Sequence, residues 1–288
     1  MHGRIDYPID AIKTFMTSAD YAIISNETSF VEGCSQPAGI TAFCGKPKYI
    51  QNILDMGIDV ISLTGNHMCD YGRETFSNML DLYRQREMLF FGSGNTETDA
   101  WAPLFIDTPA GRVAFIGVNY MGPAGVIAGD NVSGTAFYES ARFQETISRA
   151  RQDADIVWVD THLWPEYGTT PGEDQVRITR EAVAAGADIV TGVSSPEIQG
   201  MTFIDGKPVF YGLGNFLFDQ MWSTETRRGI ALEITAYEGA LRRITVKPTQ
   251  MHDYCQVPVS YTHLRAHETV LDLVCRLLLE KKKKNAQQ

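Results

Sequence analysis

The sequence predicts an α/β fold, a sandwich built from strand-helix units, on the strength of two observations. Short β-branched or apolar runs alternate with longer amphipathic stretches through most of the 288 residues, a pattern typical of strands that are joined by helices. The composition of 44% hydrophobic and 10% aromatic residues provides enough apolar surface to bury a large core, in one big domain or two small ones. This composition excludes an intrinsically disordered chain.

Seven segments are predicted to be strands because each is a short apolar or β-branched run bounded by turn residues. In chain order they are residues 21–25, 60–64, 113–118, 156–160, 189–191, 208–211 and 229–235. Four segments between them carry apolar residues at helical spacing. These predicted helices, each of which returns the chain for another strand, are residues 46–56, 72–87, 139–153 and 172–185.

The C-terminal segment differs in composition from the rest of the chain and predicts a boundary near Val257. Residues 261–288 read YTHLRAHETVLDLVCRLLLEKKKKNAQQ, contain no glycine and run through consecutive lysines. We therefore interpret residues 1–257 as the folded domain and residues 258–288 as a tail that is not native to it. Its two histidines are four residues apart and could face the same way on a helix, but the origin of the tail excludes them from the candidate site.

The negative charge of the chain argues against nucleic acid as a partner. The formal net charge is −10 and the isoelectric point is about 5.1, so nucleic acid and anionic membrane surfaces would be repelled. No apolar run approaches the roughly 20 residues that span a bilayer, and residues 1–10 lack the basic and apolar regions of a secretory signal. These sequence features therefore do not indicate the cellular location.

The five cysteines show no CxxC pair and no spacing that builds a zinc site. Cys34 and Cys44 flank a short loop and could form a disulfide in an oxidising compartment, but we favour two free thiols. A serine or cysteine nucleophile is disfavoured as well, because there is no G-x-S-x-G motif and Cys69 has no evident base beyond the nearby His67.

The first polar cluster of interest follows the predicted strand 60–64. That strand runs into Asn66 and His67, and Asp70 lies three residues beyond the histidine. In α/β folds, ligands bind at the carboxyl ends of strands, where side chains converge above the sheet. Asn66 offers a carbonyl oxygen to a hard metal ion, and His67 can donate a proton to a leaving oxygen if Asp70 orients its ring. Taken alone, an Asn-His pair is more often a turn followed by a surface histidine.

Two further clusters stand at strand ends. His162 follows the predicted strand 156–160, with Glu166 four residues on, and Glu27 follows the predicted strand 21–25. A neutral imidazole is a common metal ligand, whereas an isolated Glu27 would more often cap a turn or helix. Together the three clusters mix oxygen and nitrogen donors at one kind of position, which favours a metal-assisted phosphoester hydrolase.

Four blocks of the sequence, in this order, resemble the capsule synthesis and poly-γ-glutamate biosynthesis protein family. They are residues 19–28 (ADYAIISNET), 57–67 (GIDVISLTGNH), 162–167 (HLWPEY) and 211–219 (YGLGNFLFD). The similarity extends from about Ile5 to Pro248, most of the chain. It implies a variant of the calcineurin-type metallophosphatase fold, with two mixed β-sheets flanked by helices.

The resemblance also implies roles for the residues at the strand ends. Glu27, Asn66 and His162 are expected to bind divalent metal ions, with Mn, Fe, Zn and Mg as the candidates. His67 is expected to be the general acid, and Asp70 and Glu166 are expected to be supporting groups that orient the imidazoles. His67 and Asp70 are therefore the catalytic candidates.

The sequence departs from the family at two places. The family's domain begins with a strand that carries Gly-Asp, whose aspartate is a metal ligand, and this chain starts downstream of that point, so the first strand is expected to be missing. Relatives also carry at least one histidine after the glycine of residues 192–200, which here read GVSSPEIQG. Ser194 and Ser195 are poor metal donors, and only Glu197 offers a carboxylate, at a shifted position. We therefore expect weak metal binding or a single bound ion.

These features favour a metal-dependent phosphoesterase-like hydrolase in capsule or poly-γ-glutamate synthesis, acting on an envelope polymer or a small phosphoester. The alternative is a non-catalytic component of envelope polymer assembly that keeps the fold with an incomplete metal site. A third option is an amide hydrolase on the same scaffold, because the family's polymer is a polyamide. By resemblance, we expect a location in the cell envelope or outside the cytoplasm, with membrane-associated synthesis machinery as a partner.

Overall fold

The computed structural model of the chain describes residues 4–35 and 41–259. Almost all of the predicted tail, residues 258–288, therefore lies outside the described residues, and so do its histidines His263 and His267. At the tail's start, Val259 is buried and forms a bridge with Thr249. The packed body thus includes residue 259, and the non-native origin of the tail stays a prediction.

The described residues form fifteen strands and six α-helices. The strands are β1 Ile23–Ser25, β2 Ser29–Phe30, β3 Cys44–Gly45, β4 Val60–Ser62, β5 Leu89–Phe91, β6 Ser93–Gly94, β7 Leu104–Thr108, β8 Gly111–Asn119, β9 Gly134–Thr135, β10 Ile156–His162, β11 Ile189–Gly192, β12 Met201–Ile204, β13 Lys207–Phe210, β14 Arg228–Tyr237 and β15 Ala240–Gln250. The helices are α1 Lys13–Met16, α2 Ile50–Asp55, α3 Arg73–Gln85, α4 Glu97–Trp101, α5 Ser140–Asp153 and α6 Glu173–Ala185.

Two sheets and a long hairpin carry the architecture. The larger sheet has six strands in the order β12-β13-β11-β10-β8-β7, and its central pairs are parallel while both edge strands are antiparallel. The smaller sheet is parallel, in the order β1-β4-β5. Strands β14 and β15 pair with each other as an antiparallel hairpin. The fold is the α/β sandwich that the sequence predicts.

The core lies on both faces of the six-stranded sheet. Six of the seven residues of β10 are buried, as expected for a parallel strand covered on both sides. On one face, α5 and α6 pack against β8, β10 and β11. On the other face, Phe115 packs in a cluster with Val60 and Phe91 of the smaller sheet. A second large cluster joins the helices α2 and α3 to the outer face of the smaller sheet.

The secondary-structure predictions agree with the structure at all seven strands and all four helices, with ends that differ by a few residues. Within residues 46–56, Pro47–Tyr49 form a 3-10 turn before α2. Among the strands of three or more residues, the sequence analysis missed β5, β7, β12 and β15. β5 has only three residues, and β15 is partly exposed along most of its length, so neither shows a clear apolar alternation. No helix among the described residues combines the length and apolarity that a bilayer crossing requires.

Cys34 and Cys44 form a disulfide, so the preference for two free thiols was wrong. Parallel pairing of β2 with β3 brings the two cysteines together, because Ser29 is opposite Cys44 and the backbone N–H of Val31 donates to the carbonyl of Gly45. Their Cα atoms are 5.7 Å apart, within the range that a disulfide spans. Spacing along the sequence does not reveal this pairing.

Candidate active site at three strand ends

The candidate site lies where three parallel strands end at one edge of the sandwich. Glu27 follows β1, Asn66 follows β4, and His162 is the last residue of β10. β1 and β4 are neighbours in the smaller sheet, and β10 is central in the larger one. Because parallel strands end at the same edge, the fold brings together three side chains that are up to 135 positions apart in the numbering.

Two of the predicted metal ligands, Asn66 and Glu27, are within contact distance of the third, His162. His162 Nε2 is 2.9 Å from Asn66 Oδ1 and 3.4 Å from Glu27 Oε1. The His162 side chain is fully buried, whereas that of Glu27 is 23% exposed. One imidazole nitrogen, one amide oxygen and one carboxylate oxygen thus converge, a mixed donor set that suits a divalent cation.

Gly65 allows this convergence. A Cβ atom at Gly65 would lie 2.6 Å from Glu27 Cγ and 3.1 Å from Glu27 Cα. Any side chain there would push the Glu27 segment away from Asn66. The strand-end sequence Gly65-Asn66 therefore does two things: it removes bulk beside Glu27 and supplies the amide oxygen.

Only two of the three candidate donors, Glu27 and His162, belong to the residue types that most often bind metal ions. His162 Nδ1 is buried and has no hydrogen-bond partner among the described residues, although metal-bound histidines usually donate this second N–H to an acceptor. Within residues 4–35 and 41–259, no group of three or more His, Cys, Asp and Glu side chains could hold a metal ion. The candidate set reaches three donors only by including the amide of Asn66.

His67 is held by Asp70 as the sequence suggested. His67 Nδ1 is 2.7 Å from Asp70 Oδ2, and the same carboxylate oxygen accepts from the backbone N–H of Phe43 at 2.8 Å. Burial lowers the pKa of His67, but the hydrogen bond to Asp70 and the charges of Glu27, Asp70 and Glu166 raise it, and the net shift is upward. Asp70 therefore fixes the ring through Nδ1 and leaves Nε2 for other contacts.

Phe43 is a residue of this site that the sequence analysis missed. Its ring lies against the His67 imidazole, with centroids 4.3 Å apart, and it also packs edge-on against Phe218 at 5.0 Å. Phe43 directly precedes Cys44, whose disulfide to Cys34 anchors the segment. The neighbouring cysteine pair was the one available signal, and it does not by itself indicate contact with a histidine 24 positions away.

Glu166 lies in the same cavity but does not bind an imidazole. Together with Glu27 and His67 it lines a large cleft, and no hydrogen bond joins its carboxylate to either imidazole in the described part of the chain. Burial, and then the charge of Glu27, raises the pKa of Glu166, against the opposing effects of His162 and His67. Its contact with the imidazoles is electrostatic, so a role in orienting them stays a prediction.

In the loop of residues 192–200, where the sequence departs from the family, the polar side chains form hydrogen bonds with backbone groups. Ser194 Oγ accepts from the Leu163 N–H at 3.1 Å and donates to the Leu163 carbonyl at 2.7 Å. Ser195 Oγ donates to the carbonyls of Glu166 and Glu197. The Glu197 carboxylate accepts from the Gly168 N–H at 2.9 Å. These groups hold residues 163–168 in place beside His162, and none of them joins the three converging donors.

The pKa values of Cys69 and Asp160, which lie near the site, are both raised by burial. Burial raises the pKa of the Cys69 thiol to about 11, so the thiol stays protonated near neutral pH, as expected of a cysteine that is not a nucleophile. Asp160, two residues before His162, accepts from Trp158 Nε1 at 3.0 Å and from Thr191 Oγ1. Burial raises the pKa of Asp160, and these hydrogen bonds oppose the shift. The sequence analysis did not single out this carboxylate, although an aspartate inside an apolar strand was the available signal.

Residues 2–220 match the family described as Bacterial capsule synthesis protein PGA_cap. Two curated relatives are similar over most of the chain. The PGA biosynthesis protein CapA of Bacillus subtilis (strain 168) is 28% identical over 225 residues, which cover 78% of this chain and 59% of the relative. The Capsule biosynthesis protein CapA of Bacillus anthracis is 27% identical over 219 residues, which cover 75% and 53%. The chain thus spans little more than half the length of these relatives.

Two solved structures share the fold. A hypothetical protein from Thermus thermophilus superposes with a TM-score of 0.55 at 12% identity, covering 86% of this chain and 94% of that one. A Staphylococcus aureus protein provisionally described as a 5′-nucleotidase, in complex with alpha-ketoglutarate, gives a TM-score of 0.52 at 15% identity, covering 97% and 53%. These likenesses show that the α/β sandwich predicted from the sequence is a fold found in other proteins.

Proposed function

The chain belongs to the bacterial capsule synthesis protein family, and from that premise we propose that it is a metal-dependent, phosphoesterase-like hydrolase of capsule or poly-γ-glutamate synthesis. The single observation that carries the proposal is that Asn66 Oδ1 and Glu27 Oε1 both lie within 3.4 Å of His162 Nε2. Three strand ends thus bring together an imidazole nitrogen, an amide oxygen and a carboxylate oxygen, which is a mixed donor set suited to a divalent cation.

Glu27, Asn66 and His162 would hold the cation, which we propose to be a single Mn, Fe, Zn or Mg ion. A bound ion would supply Lewis acidity toward a phosphoryl oxygen and increase the acidity of a water molecule. The negative charge around the site is a reason why an anionic substrate would require a bound cation. Glu27 and Glu166 line the cavity and Asp70 pairs with His67, and these carboxylates would repel an anionic phosphoester unless a cation offset them.

His67 would act as the proton donor to the leaving oxygen. Its Nδ1 atom is fixed by Asp70 at 2.7 Å, so Nε2 is presented to the cavity that the ring lines. The Phe43 ring packs against the imidazole and limits its rotation. A histidine held in this way by a carboxylate has the arrangement that general acid catalysis requires.

The second candidate is a non-catalytic component of envelope polymer assembly. A specific observation favours it: the hydroxyls of Ser194 and Ser195 are engaged with backbone groups, so they add nothing to the three converging donors. A protein with an incomplete metal site of this kind could keep the fold and have no catalytic activity. The envelope polymer and the membrane-associated machinery are proposals as partners under either candidate.

Calorimetry with Mn²⁺ and Zn²⁺ tests whether the site binds a metal ion, and turnover measurements on the same protein then separate the two candidates. We expect the protein to bind one equivalent and Glu27→Gln to lose it, while Glu32→Gln, a change at an exposed position, keeps it. Absence of binding for both ions would contradict the metal site itself. Binding without turnover of any phosphate or γ-glutamyl substrate would favour the assembly component.

Turnover of an aryl phosphate tests the assigned acid. His67→Ala is expected to lower the metal-stimulated rate by about 10²- to 10⁴-fold, the usual contribution of a positioned acid or base, while metal binding persists. His252→Ala, at an exposed histidine, is the matched control and should change neither quantity. A rate that survives His67→Ala would remove the residue from the proposed mechanism, and faster cleavage of γ-glutamyl than of phosphate substrates would redirect the activity to amides.

A further inference from the structure

Two exposed aromatic side chains line the cavity that holds the candidate site. Tyr167 is 48% exposed and Trp222 is 68% exposed, and both line the same cavity as Glu27 and His67. Single exposed apolar residues are ordinary on a protein surface, but tryptophan is highly buried on average. Two open rings beside one polar site, which we call the aromatic rim, therefore indicate a ligand with apolar faces.

Hydrogen bonds on both sides of Tyr167 fix its backbone. Tyr167 directly follows Glu166, whose side chain lines the same cavity. The Ser195 hydroxyl donates to the Glu166 carbonyl, and the Gly168 N–H donates to the Glu197 carboxylate at 2.9 Å. The Tyr167 ring is thus carried by a backbone that is held in place before any ligand arrives, which reduces the entropy cost of binding.

Trp222 belongs to a segment that is tied to the same loop. The Asn215 N–H donates to the Pro196 carbonyl at 3.2 Å, and the Asn215 side-chain amide donates to Gln220 Oε1 and to the Thr226 carbonyl, both at 2.9 Å. These bonds close the segment that carries Trp222. The two rings of the aromatic rim therefore stand on two segments that are both anchored to residues 192–200.

Aromatic contacts connect the Trp222 segment to the candidate acid. Phe218 packs edge-on against Phe43, with centroids 5.0 Å apart, and Phe43 lies against the His67 imidazole at 4.3 Å. On the other segment, Tyr167 follows the strand end that supplies His162. The aromatic rim thus adjoins the reacting groups from both segments.

The charge of the cavity opposes an anionic polymer. Among the described residues, those that line the cavity include no arginine and one lysine, Lys247, which pairs with Glu233 at 3.1 Å. Beside the rim, the charges of Glu166 and Glu197 add to burial in raising the pKa of the Tyr167 hydroxyl. A polyanion such as poly-γ-glutamate would therefore meet carboxylates along its length.

A neutral chain of pyranose rings suits this environment better than a cationic chain. A divalent ion held by Glu27, Asn66 and His162 would repel an ammonium group. A pyranose ring has apolar C–H faces that stack on aromatic rings and hydroxyls that donate to carboxylates. Such acceptors are present, because the carboxylates of Glu166 and Asp219 line the cavity and form no hydrogen bond with another described residue.

We infer, on the basis of the proposed function, that the substrate is a neutral glycan that carries the phosphoester. Its pyranose rings stack on Tyr167 and Trp222, and its phosphoester lies at the strand ends beside His162. In this arrangement the aromatic rim binds the chain at a distance from the bond that reacts, and this binding energy positions the phosphoester for the chemical step.

NMR titration with neutral glycans tests the inference. The probes are β-linked hexamers of glucose, of mannose and of N-acetylglucosamine, added to the full chain in the presence of a metal chelator. We expect at least one of them to bind, and we expect Tyr167→Ala and Trp222→Ala each to weaken its binding about two- to tenfold, the value of one aromatic contact. Trp222→Phe should restore most of the affinity. Phe203→Ala, at a ring that is 62% exposed but does not line the cavity, is the control and should change nothing.

Three results would overturn the inference: no binding of any neutral hexamer, equal binding by the wild-type chain and both alanine variants, or tighter binding of a γ-glutamyl hexamer or of spermine than of every neutral glycan. Because the probes carry no phosphate and the chelator removes metal ions, the titration is independent of the metal site. Metal-stimulated turnover of an aryl phosphate without glycan binding would overturn this inference alone. Glycan binding by a chain that binds no metal ion would contradict the hydrolase and keep the rim as a glycan site.

Discussion

Gly65 separates the end of β4 from Asn66 and faces Glu27 across the site. Because a Cβ there would lie 2.6 Å from Glu27 Cγ, Gly65→Ala should displace the Glu27 carboxylate from the His162 imidazole. We expect Mn²⁺ affinity in calorimetry to fall at least about tenfold, the range that displaced metal-site geometry commonly costs. Thermal stability should fall only modestly, since overpacking of this size costs about 1–3 kcal/mol.

Gly125→Ala is the control for that change. Gly125 has no atom within 4 Å of the added Cβ, so the same substitution should leave both metal affinity and Tm unchanged. An unchanged affinity in Gly65→Ala would mean that Glu27 does not contribute to the site from its present position.

The Cys34–Cys44 disulfide is expected to stabilise the segment that contacts His67. Closing a loop of this length contributes about 2–3 kcal/mol in the chain-entropy description. In a Cys69→Ser/Cys255→Ser background, Cys34→Ser/Cys44→Ser should therefore lower the urea midpoint and also accelerate hydrogen exchange at the Phe43 amide, which donates to Asp70. If that amide exchanges equally slowly with and without the disulfide, the contact with Asp70 is maintained by packing alone.

At the scale of elements, Glu181 joins the helices α5 and α6. Its carboxylate accepts from Tyr138 Oη at 2.5 Å, from Ser140 Oγ at 2.9 Å and from Arg177 Nη1 at 3.0 Å. Burial raises the pKa of Glu181, but these hydrogen bonds together lower it by more, so the net shift is downward. The ionised form thus stabilises the folded state.

Glu181→Gln is expected to lower the free energy of unfolding by about 1–3 kcal/mol at pH 7, the usual value of hydrogen bonds to a charged group. Because the folded-state pKa is depressed, this contribution is fully present above the ordinary pKa of 4.5 and is lost as the pH falls through the lower folded-state value. Urea unfolding of both proteins from pH 7 down to pH 3 should therefore show the difference shrinking. Glu145→Gln, at an exposed ion pair with Arg149, is the control and should have little effect. A difference that stays constant with pH would assign the effect to packing rather than to charge.

At the scale of the whole molecule, stability should be distributed unevenly. β10 has a neighbouring strand at each of its two edges, and both of its faces are covered. The hairpin of β14 and β15 pairs mainly with itself, and many of its residues, such as Tyr237 with 62% exposure, are open to solvent. Hydrogen exchange at neutral pH should therefore be faster in residues 228–250 than in residues 156–162, because regions with fewer buried contacts open at lower free energy. Equal protection of the two regions would mean that the hairpin opens only with the global unfolding of the molecule.

Much of the element order could be predicted from the sequence because short apolar runs and helical spacing are local properties. Every predicted strand and helix is present, and the three polar clusters singled out in the sequence follow or end strands β1, β4 and β10. The short strand β5 and the half-exposed strand β15 were missed because neither carries a clear alternation. The roles of the site residues stay predictions, although the structure brings four of them, Glu27, Asn66, His67 and His162, to the same edge.

The sequence by itself determined the fold class and the family resemblance and indicated the candidate donors, because these depend on residue type and spacing. Only the tertiary structure decided which side chains meet. It brought Phe43 to His67, closed the disulfide between Cys34 and Cys44, and turned Glu197 toward Gly168. Contacts between residues that are distant in sequence depend on how strands pair and sheets pack, and a pattern of residue types along the chain does not contain that register.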